Sequence, residues 1–125
     1  MRETLLDAEA FEELVAQALD DLPDWVRAHL DNVAVVVAPW PTAAQRRSAR
    51  VQEGLLLGLY EGVPLTQRGR GYNLIPPDRI TLFQGPLELT ARHRRDLLRL
   101  IRRTVIHEIA HHFGFSEAAL HDLEI

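Results

Sequence analysis

The chain has 125 residues, no cysteine and a formal net charge of −4. Disulfides, thiolate metal sites and cysteine nucleophiles are therefore excluded, and a net acidic chain gives no general reason to expect nucleic-acid binding. At this length one domain spanning 1–125 around a single hydrophobic core is expected.

Met1 to Leu19 carries acids throughout and no apolar core segment. It reads as neither a signal peptide nor a membrane anchor. No other run approaches transmembrane length, so the expectation is a cytoplasmic protein with no membrane partner. Thr4 to Leu19 predicts a helix, because Leu5, Leu6, Ala8, Phe11, Leu14, Val15, Ala18 and Leu19 recur near helical period with acids opposite. Pro23 to Leu30 predicts a short second helix with proline in its first turn. Val33 to Ala38 is a β-branched run that predicts a buried strand, ended by Pro39-Trp40-Pro41.

Thr42 can cap a short polar helix reaching Gln52, and Leu55 to Tyr60 predicts a second strand. Residues 61–78 form a long connection holding Gly62, Pro64, Gly69, Gly71, Pro76 and Pro77. Connections of this length in a small domain are usually functional or mobile. Arg79 to Gln84 alternates with period two and predicts a third strand, stopped by Gly85-Pro86. Thr90 predicts the N-cap of one long amphipathic helix to Phe113, with Leu97, Leu98, Leu100, Ile101, Thr104, Val105 and Ile109 on its buried face. Ser116 can cap a last short helix to Leu123.

The long helix carries the chemistry. His107 and His111 are four apart, with Glu108 directly after the first. On a helix, positions i and i+4 share a face, so two imidazoles can grip one metal ion without bending the backbone. Glu108 projects about 100° further round and can act on a metal-bound water without being a ligand. A catalytic zinc needs three protein ligands, and the helix gives two. Gly114 follows His111 by three residues and suits the left-handed turn that ends a helix. Glu117, three residues beyond, can return a carboxylate as third ligand. His121 lies four after Glu117 and either orients that carboxylate or replaces it. His112 points about 100° away from His111 and reads as a supporting or surface group.

Two further constellations flank this run. Arg92, Arg95, Arg99, Arg102 and Arg103 make a basic stripe on the same helix. It reads first as a solvated face paired with the acids of the first helix, and second as a groove for an acidic peptide or RNA phosphates. Tyr72, in the long connection, is the candidate donor to a developing oxyanion, whereas Tyr60 ends a strand and reads as core.

The run His107–Glu117, Gly58 to Thr66, Pro77 to Phe83 and the tail from His107 to Leu123 together resemble the small zincin-like metallopeptidases of bacteria, over residues 30–125. The resemblance implies an α+β minimal zincin-like fold. A small mixed sheet of about three strands would pack on the active-site helix, with helices at both ends of the chain and Zn2+ held by His107, His111 and the acid at 117. That acid is glutamate here, where the family pattern often has aspartate. The chain lacks the second subdomain of larger zincins, which implies a shallow site.

The leading expectation is a zinc-dependent metallopeptidase acting on a peptide or protein substrate through zinc-activated water, with Glu108 as general base. The alternatives are a catalytically silent zinc-binding interaction module and a metal-dependent RNA hydrolase that uses the arginine stripe.

Overall fold

A computed structural model describes residues 6–49, 54–62 and 77–114. Helix α1 spans Ala8–Asp20. The Asp7 carboxylate accepts from the Ala10 N–H at 2.8 Å, so the helix starts at this aspartate rather than at Thr4. Its apolar stripe buries Phe11, Leu14, Val15 and Ala18, while Ala8, expected inside, is exposed. Helix α2 covers Asp24–His29 and buries Val26.

Strands β1 (Val33–Ala38), β2 (Gly58–Glu61) and β3 (Asp78–Phe83) form one mixed sheet in the order β1-β3-β2. The first pair is parallel and the second antiparallel. The small mixed sheet expected from the sequence is therefore present. β1 is not the buried strand that its valine run predicts. It lies at a sheet edge, with Val33, Val35 and Val37 turned to the core and Val36 exposed. A continuous apolar run fits a strand covered on both faces, and the central place goes instead to β3, where residues 80–83 are all buried. The second strand is shorter than predicted, Leu55–Leu57 lying outside β2.

Helix α3 (Ala43–Ser48) has the reciprocal cap its sequence offers. Thr42 Oγ1 accepts from the Gln45 N–H, and Gln45 Oε1 accepts from the Thr42 N–H.

The long helix predicted from Thr90 begins only at Arg94, and a separate, unpredicted helix precedes it. Gly85-Pro86 does not merely stop β3, because helix α4 (Gln84–Thr90) contains both residues. Proline is tolerated in a first turn, where its missing N–H has no partner to lose. Thr90 closes this helix, its hydroxyl donating to the Pro86 carbonyl. The motif helix α5 runs Arg94–His112 and is capped by His93, which accepts from the Asp96 N–H. Asp96 in turn accepts from the Arg92 N–H at 2.9 Å.

One main core joins Phe11, Leu14, Val26, Ile80, Leu82, Leu87, Ile101, Val105 and Ile109. α1 and the sheet both pack against α5, which carries the motif. None of the described helices is long and apolar enough to cross a membrane.

Candidate metal centre

α5 brings His107 and His111 to one side, one turn apart. Their ring centres are 6.2 Å apart with near-perpendicular planes. His107 is half-buried and His111 exposed, so the pair lies where the helix leaves the core. The helix ends as the sequence requires. Gly114 has φ +81°, and a Cβ there would touch nothing, so its conformation rather than space calls for glycine.

Glu108 reaches toward β2. Its Oε1 accepts from the backbone N–H of Tyr60 on β2 at 2.9 Å. Burial pushes its carboxyl above its ordinary value. The Tyr60 N–H and the charge of His111 pull the other way without cancelling the shift. β2 comes this close because Gly58 has no side chain. A Cβ there would lie 2.7 Å from Thr104 Cγ2 and 3.2 Å from the Thr81 carbonyl oxygen.

Tyr60 is more than the core residue its position suggests. Its hydroxyl donates to Asp78 Oδ2 at 2.7 Å, and its ring stacks on His112 with centres 3.8 Å apart. The ring contacts continue from His112 to Phe113 at 4.9 Å and from Phe113 to His29 at 4.5 Å. His29 meets Trp25 edge-on. This run of rings ties α2 and β2 to the end of α5, just before the Gly114 turn. Sequence reasoning missed it, since nothing in the spacing links Trp25 and His29 to Phe113 at the far end of the chain.

A cleft of about 270 Å³ opens beside His107, lined by Leu57, Leu100, Arg103, Thr104, His107 and Glu108. No sequence pattern points to it, because Leu57 comes from the segment before β2, more than 40 residues away from the α5 residues it meets. The arginine stripe is exposed at Arg92, Arg95, Arg99 and Arg103, as expected of a solvated face, whereas Arg102 is half-buried. Its expected pairing with α1 is not seen at Arg95 and Arg99, which form no ion pair among the described residues.

Glu117, His121 and Tyr72 lie outside the described residues. Among the described residues, no three His, Asp or Glu side chains converge as a metal-binding group. The two imidazoles nonetheless suit a borderline-soft ion such as zinc, with one oxygen of Glu108 engaged by the Tyr60 N–H.

Residues 30–125 match the sequence profile of a family described as zincin-like metallopeptidase. A comparison with curated proteins found no match. Among solved structures, a conserved hypothetical protein from Thermus thermophilus is similar at 22% identity and a TM-score of 0.52, over 85% of this chain and 92% of that one. At that identity the likeness concerns the fold.

Proposed function

The chain belongs to the zincin-like metallopeptidase family, and from that premise we propose that it is a zinc-dependent peptidase with Glu108 as its general base. The observation that carries this reading is the state of Glu108. It is a desolvated carboxylate, anchored through Oε1 by Tyr60, directly beside two histidines on one helix face.

His107, His111 and Glu117 would hold the ion, with His121 orienting Glu117. When bound, zinc would polarise the scissile carbonyl and acidify the attacking water. Glu108 takes a proton from that water and delivers it to the leaving amine. Its raised proton affinity suits both halves of this task, since a strongly acidic carboxyl would be a poor base. The Tyr60 N–H fixes one oxygen and leaves Oε2 for the proton. Tyr72 takes the oxyanion-donating role on the strength of its place in the 61–78 connection.

The test is metal analysis of gently purified protein, followed by cleavage of a broad peptide library. Zinc in the protein, together with cleavage abolished by Glu108→Gln, supports the reading, and zinc-free protein overturns it. A module that binds zinc without turnover is the competing reading, favoured by the engagement of Glu108 Oε1 with backbone. It predicts zinc without cleavage.

A further inference from the structure

Glu108 and His112 lie one turn apart on α5, and a single residue of β2 meets both. The Tyr60 N–H donates to Glu108 Oε1 at 2.9 Å. The Tyr60 ring lies flat on the His112 ring, with centres 3.8 Å apart and planes 15° apart. The far end of the same side chain is fixed too, because its hydroxyl donates to Asp78 Oδ2 at 2.7 Å. Tyr60 is therefore held at its backbone, its ring and its hydroxyl, by residues of α5 and β3.

β2 needs such a hold. It is four residues long, lies at the sheet edge and pairs with β3. Ladder bonds fix its register on β3, but its distance from α5 is left to what packs between them. Gly58 and Tyr60 share the face turned to α5. Gly58 brings no side chain to that face, and Tyr60 brings the ring that meets His112. The His112 ring is supported in turn by Phe113, edge-on at 4.9 Å with planes at 85°. Stacked and edge-to-face contacts are the favoured arrangements of flat rings.

We infer that His112 is a positioning residue for the Glu108 base: its ring, stacked on Tyr60, holds the Tyr60 N–H on Glu108 Oε1 and so keeps the carboxylate in one orientation beside the two helical histidines. The role belongs to the face of the ring and uses no polar atom. Phenylalanine is therefore the conservative replacement, which separates this role from that of a metal ligand or a proton donor. His112 is exposed, so neither phenylalanine nor alanine there empties the core.

The catalytic consequence rests on the peptidase reading, while the anchoring does not, so the two are measured separately on the full chain with zinc supplied. The anchoring is read by NMR from the Tyr60 amide, as its proton shift and its exchange with deuterium. Glu108→Ala marks the signal of the broken bond. His112→Ala is expected to move the amide toward that position and to speed its exchange about threefold to tenfold, the size of one lost aromatic pair. His112→Phe should restore the unsubstituted signal. In peptide cleavage, His112→Ala should lower kcat about threefold to tenfold with KM little changed, and His112→Phe should recover it. Circular dichroism and elemental analysis check that both variants fold and keep zinc. An amide unmoved by His112→Ala, or a His112→Phe protein no better than His112→Ala, overturns the inference. So does an unchanged kcat in a His112→Ala protein whose amide has moved. An unsubstituted protein that cleaves no peptide while its amide responds as expected upholds the anchoring and removes the peptidase reading.

Discussion

The backbone N–H of Tyr60 donates to Oε1 of Glu108 at 2.9 Å, which fastens an edge strand of the sheet to the helix that carries both histidines. The match follows from repeat lengths. Two strand residues rise about 6.7 Å and four helix residues about 6 Å. Gly58 thus lies against Thr104 where Tyr60 lies against Glu108.

Gly58→Ala should separate β2 from α5. The new methyl would meet Thr104 Cγ2 at 2.7 Å, and Thr104 is buried with its hydroxyl already committed to the Leu100 carbonyl. A loss of about 1–3 kcal/mol is expected from overpacking. Adding Thr104→Ser, which removes the obstructing methyl, should recover part of it. Chemical denaturation of the four proteins in this cycle measures the recovery, and equal losses with and without Thr104→Ser would refute the close-approach argument.

Glu108→Gln should abolish peptide turnover, by a factor of about 10² or more for the loss of a general base. In zinc-free protein the same substitution should stabilise the fold at neutral pH. Burial raises the Glu108 carboxyl above its ordinary value, so the folded state holds this proton more tightly than the unfolded chain. Its contribution is favourable at low pH, where both states are protonated, and is lost as pH rises through the folded value. Melting curves across pH should show the variant's advantage growing upward through that window. An advantage that is flat with pH would contradict this.

His107→Ala or His111→Ala should remove zinc, since each deletes one of the two proposed ligands that the helix places one turn apart. Glu117→Ala should do the same if the turn at Gly114 delivers it, whereas His121→Ala should weaken zinc about 10–100-fold as an orienting partner. Elemental analysis and competition with a zinc chelator read the difference. Full zinc retention by Glu117→Ala together with loss in His121→Ala would exchange the two roles.

Phe11→Ala should cost about 3–5 kcal/mol. Phe11 is fully buried in the main core, on a helix that packs against α5. α1 precedes the family match over 30–125 and still supplies a wall of the motif helix. Thermal melts check the size of the loss, and a change below about 1 kcal/mol would show that α1 is dispensable.

The geometry of the α5 motif was legible in the sequence because it is local. Helical spacing alone sets His107 above His111, and glycine's freedom at positive φ marks where the helix ends, as Gly114 confirms at +81°. Caps formed within a few residues were legible too, as at Thr42. The break between α4 and α5 was hidden because Thr90 is equally good as a cap and as the last residue of a helix that bonds back to Pro86. Tertiary structure decided everything that depends on pairing between distant segments. It gave β1 an edge and β3 the centre, and it brought Tyr60 to Glu108 across 48 positions. It also put Leu57 opposite Arg103 to make a cleft. The sequence could therefore nominate Glu108 as a base, but its raised proton affinity comes from desolvation by the packed fold, which no local spacing encodes.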